Sequence, residues 1–166
     1  MNSMSGIGNC FYNPDGRGPR RAASLLRAFL TGALMSLVWG FVSGLLHLED
    51  IFPNTAVDSM FSRPLSFQII LYGIVSPFLE ELMFRLLLYD LVRRIAAERI
   101  AAVIVSALFA LWHGNIIQML YAFPAGLLLQ HLRSRSKGIK EPVLCHIGAN
   151  LTAIVVSALM PGLKGA

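Results

Sequence analysis

The sequence predicts an all-α protein, a polytopic bundle of about five transmembrane helices. Three observations predict it: composition, the lengths of the apolar runs, and where the basic residues fall between them. Of 166 residues, 55% are hydrophobic and only 14% charged, against about 25% charged in ordinary soluble domains. A soluble chain of this length would leave much of that apolar surface in water, because small folds bury only part of what they carry. Lipid is the natural solvent.

The chain divides into three parts. Residues 1–21, rich in Gly, Pro, Asn and Arg without periodicity, read as a flexible cytoplasmic tail. Residues 22–64 read as an N-terminal transmembrane anchor followed by an outer loop, and residues 65–160 as a membrane core. The anchor's apolar run continues to Leu46 and ends in His47-Leu48-Glu49. It outlasts the short apolar region of a secretory signal, so an uncleaved anchor is expected.

Apolar runs cover about residues 25–46, 65–92, 100–114, 116–129 and 143–160. A bilayer core of about 30 Å takes roughly 20 helical residues. The first and last runs fit that length and the second exceeds it. The third and fourth are short, and a helical hairpin around Gly114–Asn115 is expected to join them. Pro77 lies inside the second run and is expected to free the carbonyl of Gly73 and bend the helix. Strands are the poor alternative, because alternation is absent and an open sheet edge in lipid would leave backbone groups unpaired.

Basic residues cluster at Arg17, Arg20, Arg21 and Arg27, at Arg93, Arg94 and Arg99, and at Arg133, Arg135, Lys137 and Lys140. With a crossing at each run these clusters share one side, which the positive-inside rule makes cytoplasmic. The net charge of +5 then reads as topology and attraction to lipid, with no nucleic-acid partner. Cys10 and Cys145 show no metal-type spacing and no disulfide framework.

Several polar residues stand where apolar ones belong. A charged residue at a helix centre in the bilayer costs about 2.5–3.5 kcal/mol, yet the second run holds Glu80, Glu81 and Arg85. Glu81 and Arg85 are four apart and share a helical face, whereas Glu80 points about 100° away. His113 ends the third run, four residues after Phe109, and His146 and Asn150 share a face of the fifth. Turning these faces inward would gather Glu80, His113, His146 and Asn150 in one cavity. Such a set suits peptide-bond hydrolysis without a covalent nucleophile. The carboxylate takes a proton from water and returns it to the leaving amine. His113 orients the water, and His146 with Asn150 donates to the oxyanion.

Glu80-Glu81-x-x-x-Arg85, Phe109-x-x-x-His113 and His146-x-x-x-Asn150, in that order on separate helices, resemble the CPBP family. That family holds the type II C-a-a-X prenyl endopeptidases, called Rce1-like, and the bacteriocin-processing or Abi proteins. Residues 74–155 look like its core, four motif-bearing helices. Phe123-x-x-Gly126, Lys137-Gly138 and Pro142 resemble its connecting region. Leu86 departs from the Gly that many relatives carry after the Arg. The resemblance implies a CAAX-type intramembrane endopeptidase with Glu80 as base, His113 on the water, His146 and Asn150 at the oxyanion, and Glu81 and Arg85 in support. It also implies a metal-free glutamate mechanism, the favoured reading, since His-Glu-x-x-His is absent. In a zinc alternative Glu80, His113 and His146 would be the ligands, three being enough for a catalytic site.

Each residue has a plainer reading. Glu81–Arg85 is a common neutralised pair, a lone His113 is more often a satisfied core histidine, and Asn150 can bond across helices. Their joint occurrence favours the protease. Two competing classes stay open. One is a non-catalytic membrane immunity or scaffold protein that keeps the fold; the other is a small transporter relaying protons through Glu80 and the histidines. The expected partners are a membrane-associated protein or peptide substrate and the bilayer, with a homo-oligomer left open. The chain's brevity points to a bacterial cell membrane, and cutting is expected near the cytoplasmic surface.

Overall fold

The computed structural model describes residues 17–53 and 55–160, and among these every regular element is helical. The first helix, α1, runs Arg17–Leu45. It takes in Arg17, Arg20 and Arg21, which the sequence assigns to the tail; residues 1–16 of that tail lie outside the described residues. His47, in the left-handed region at φ 49°, turns the chain into two short helices, α2 (Leu48–Ile51) and α3 (Thr55–Phe61). Helix α4 then runs Leu65–Val92. Helices α5 (Glu98–Trp112) and α6 (Ile116–Ser136) form a hairpin, and α7 (Lys140–Leu159) closes the bundle.

The α5–α6 hairpin turns at the expected place. Gly114 adopts φ 66°, which only glycine takes without cost. Asn115 caps α6, its Oδ1 accepting from the backbone N–H groups of Ile117 (2.9 Å) and Gln118 (3.4 Å). That satisfies donors the first turn of a helix cannot pair internally.

Among the described residues, only α1, α4 and α7 are long and apolar enough to cross a membrane. Fifteen residues in α5 reach only about 22 Å at 1.5 Å per residue, short of the roughly 30 Å hydrocarbon core. The sequence reading of about five spans is thus met by five long helices, of which three have spanning length and composition. The surface supports lipid as the solvent. Leu34, Phe41, Leu87 and Leu159 are exposed on the outside while Glu81 and Arg85 are fully buried, an arrangement that lipid favours and water does not. Three apolar helices of this kind make an integral membrane protein.

Helices α1 and α7 pack parallel and closest of all. Ser24 donates to Glu141, Phe29 meets Gly148 and Gly32 meets Cys145 and Ala149. A Cβ on Gly32 would collide with the Cys145 carbonyl, and one on Gly148 with the Phe29 carbonyl. Small residues let membrane helices approach this closely, where packing replaces the hydrophobic drive.

Helix α4 is not uniform. Gln68–Val75 and Leu82–Leu88 are π-helical and flank an α-helical Ser76–Glu81. In the first π segment the N–H of Ser76 reaches back five residues to the carbonyl of Leu71. This changes which carbonyl Pro77 frees. In that register the freed carbonyl is that of Tyr72, one residue before the Gly73 that α-helical counting predicts.

Candidate active site

Helices from across the bundle converge on one cavity of about 540 Å³. Helix α1 contributes Ser36 and Trp39, α3 contributes Asp58 and Phe61, and α4 contributes Tyr72, Ser76 and Glu80. The α5–α6 hairpin adds His113, Gln118 and Tyr121, and α7 adds His146 and Asn150. All four residues that the sequence singled out for chemistry thus line a single space.

Glu80 is held by its own helix. Ser76, one turn earlier, donates to Glu80 Oε1 at 2.6 Å. Glu80 Oε2 is buried, has no hydrogen-bond partner among the described residues, and lies 3.8 Å from His146 Nε2. That separation is too long for a hydrogen bond. The structure sets Glu80 and His146 side by side. The π-helical turns of α4 hold more residues per turn, so fewer ångströms separate Glu80 from Val92 than α-helical counting gives.

Glu81 and Arg85 are fully buried behind this pair. Arg85 Nε lies 3.2 Å from Glu81 Oε2, an ion-pair distance whose angle does not make a hydrogen bond. Glu81 Oε1 accepts from His146 Nδ1 at 3.0 Å. A carboxylate accepts only, so Nδ1 carries the hydrogen and Nε2 is turned towards Glu80. The arrangement matches the acid that orients the histidine of a serine-protease triad.

Phe109 ties the cluster together. Its ring lies 4.8 Å beneath the Arg85 guanidinium and stands edge-on to His113 (4.9 Å) and His146 (5.6 Å). A desolvated cation over an aromatic face gains about 2 kcal/mol, which helps explain a fully buried arginine with a single carboxylate at hand. The carbonyl of Phe109 accepts from His113 Nδ1 at 2.8 Å. His113 therefore also carries its hydrogen on Nδ1 and keeps Nε2 as an acceptor.

Asn150 lines the cavity, and its Nδ2 donates to the carbonyl of Tyr72 at 2.9 Å. Cys145 is fully buried against α1, away from the cavity. Among the described residues no group of three His, Cys, Asp or Glu side chains converges as a metal centre requires.

Ser76, Tyr72, Asp58 and Phe61 escaped sequence reasoning. Ser76 carried a usable signal, four residues before Glu80 on one helical face. Tyr72 carried none, because its exposure as an acceptor depends on the π register. Asp58 and Phe61 sat in a segment read only as an outer loop. The cavity also faces away from the basic connections: it is lined by α3 and the hairpin tip, at the opposite end of the bundle. Expected cutting near the basic, cytoplasmic surface does not match that placement.

A Glu–His pair thus stands beside a cavity between membrane helices. The sequence model of the Rce1-like family, described as type II CAAX prenyl endopeptidase, matches residues 62–152, more than half of the chain. The chain belongs to that family. Every residue from Ser76 to Asn150 discussed above lies inside the match. The chain is also 30% identical over 93 residues to a protein of Bacillus subtilis (strain 168) named "Putative membrane peptidase YdiL". The match takes in 56% of this chain and 38% of that protein, so the chain spans little more than a third of its relative's length. No solved structure gives a significant match.

Proposed function

We propose that the protein is an intramembrane endopeptidase that hydrolyses a peptide bond of a membrane-associated protein or peptide with a glutamate-activated water. The observation that carries this reading is Glu80, which lines the cavity with an Oε2 that has no hydrogen-bond partner among the described residues, beside an imidazole that Glu81 orients.

Water enters between Glu80 Oε2 and His113 Nε2. Glu80 takes one proton as the water oxygen bonds to the scissile carbonyl carbon, giving a tetrahedral oxyanion. His146 keeps one proton on Nδ1, held by Glu81, and binds a second on Nε2 before water enters; that Nε2–H donates to the oxyanion and stays on the ring throughout. The C–N bond then breaks and Glu80 returns the proton to the departing amine. Each proton is accounted for without a covalent intermediate. A cavity of about 540 Å³ accommodates a few residues of extended chain, and family membership supports the reaction class. Peptides and membrane proteins are both admitted as substrates, prenylated or not. The non-catalytic alternative makes a different prediction for the same variant.

The test is mass-spectrometric mapping of new protein termini in membranes carrying wild type or Glu80→Gln at equal abundance. Termini made only by wild type are expected, and they name the substrate. Identical termini would leave a scaffold or immunity role in place of the protease.

A further inference from the structure

Helices α1 and α7 begin in close contact and then part. At Gly32 the α1 backbone lies against the Cys145 carbonyl and the Ala149 N–H. About two and three turns further along α1, a Cβ on Gly40 or Gly44 would meet no atom within 4 Å. Between the parted ends lies a second cavity, of about 500 Å³, walled by α1, by α3 and by Ala153, Val156, Ser157 and Met160 of α7. That volume is in the range of about 300–1,000 Å³ that encloses a bound molecule.

The second cavity stands between the bilayer and the catalytic one. Ser36, Trp39, Val57, Asp58, Phe61 and Ala153 line both spaces, so the two adjoin there. On its other side Leu37, Phe41 and Leu45 line it and are exposed on the outer surface of the bundle, where lipid lies. Ser157 says what kind of chain belongs inside. Its Oγ is buried and has no hydrogen-bond partner among the described residues. A polypeptide brings backbone N–H and C=O groups that satisfy such a hydroxyl, and an acyl chain brings none, leaving the oxygen unpaired at a cost. Asp58 sets a carboxylate at the junction, again a partner for peptide groups and not for hydrocarbon.

We propose that this second cavity is a substrate subsite: it takes a run of apolar residues of a membrane-embedded polypeptide, to one side of the bond presented to Glu80, and Gly40 and Gly44 set its depth. The substrate class is thereby narrowed to polypeptides whose scissile bond borders an apolar stretch. The proposal rests on the protease reading for its effect on cleavage, while its binding half is testable alone.

Trp39 is the reporter. The chain has two tryptophans, so Trp112→Phe leaves Trp39 as the single emitter, at the junction of the cavities. The probe is a synthetic peptide of leucine and alanine, about 20 residues long to match the bilayer, with lysines at its ends and one 4-bromophenylalanine, whose bromine quenches a nearby indole. With the full chain in phosphatidylcholine vesicles, the peptide is expected to quench Trp39 saturably. Leucine is a better helix former than glycine and has room at both positions, so Gly40→Leu and Gly44→Leu are expected to melt as wild type does. Each is expected to weaken the peptide's half-saturation at least about 10-fold, the scale of a misfit in an apolar site. Ser157→Ala, the milder change, is expected to weaken it about fivefold. In vesicles of brominated lipid the unlabelled peptide is expected to relieve the quenching of Trp39.

Quenching that none of the three variants alters would overturn the proposal. So would quenching by brominated lipid that the peptide does not relieve, which assigns the cavity to an acyl chain. The yield of wild-type-only termini is then read in membranes: Gly40→Leu and Gly44→Leu are expected to lower it at least about 10-fold. Weakened peptide binding with an unchanged yield would show a cavity that binds but is no subsite of the reaction. If wild type makes no new termini, the protease reading fails while Trp39 still decides whether the cavity takes an apolar peptide.

Discussion

Arg85 has a guanidinium with no exposure to solvent, one carboxylate within ion-pair reach and one aromatic face beneath it. Removing a partner from such a pair leaves a bare buried charge, at a cost of about 3–5 kcal/mol. Glu81→Gln is therefore expected to lower thermal stability in detergent by that order, and to release His146 from its tautomer as well. Glu80→Gln is expected to shift the same melting curve by less than about 1 kcal/mol, because the amide still accepts from Ser76. Measured side by side, the two separate a residue that holds the site from the one proposed to act on water. An equal melting shift would overturn that separation. The Glu81–Arg85 pair was legible, since a spacing of four on a helix settles it. The Glu81–His146 bond was not, because its partners lie 65 residues apart and a helical wheel is blind to neighbouring helices.

At the level of elements, glycine placement and helical register decide the geometry. Gly148 meets the Phe29 backbone so closely that even a methyl group forces α1 and α7 apart. Gly148→Ala is expected to cost about 1–3 kcal/mol, read as a lower unfolding midpoint, and a neutral result would show that the pair separates freely. Gly114→Ala adds a Cβ in open space but at φ 66°, so its cost is about 1–2 kcal/mol from the backbone alone. The hairpin at Gly114–Asn115 could be read from sequence because those two residues are what a left-handed turn and an N-cap require. The π segments could not. Residues such as Ile69, Leu71 and Val75 carry no mark that distinguishes a five-residue step from a four-residue one, so Gly73 took the place of Tyr72 in the sequence reading.

For the whole molecule the membrane fold was legible and its internal arrangement was not. Apolar runs announced the long helices, and inward burial of Glu80, His113, His146 and Asn150 followed from the cost of leaving them in lipid. What composition could not reveal is that α3 reaches over the cavity with Asp58 and Phe61. The arrangement predicts which side of the membrane the cavity faces. In a background with Cys10 and Cys145 changed to Ser, Asp58→Cys and Ser134→Cys are expected to react with a membrane-impermeant maleimide from opposite faces of a sealed vesicle. Labelling of both from one face would contradict the arrangement of α3 and the α6–α7 turn at opposite ends of the bundle.

The intrahelical partners of the two glutamates bear on how the protein is made. A ribosome adds His146 65 residues after Glu81, roughly 3 to 13 s at ordinary translation rates. Throughout that interval α4 carries two carboxylates and lacks the imidazole that completes their surroundings. Ser76 is already there for Glu80, and Arg85 arrives within a turn of Glu81. The helix thus brings its own counter-ion and hydroxyl into the translocon, and the pairing of both glutamates with His146 is withheld from a nascent chain until α7 has been delivered beside it.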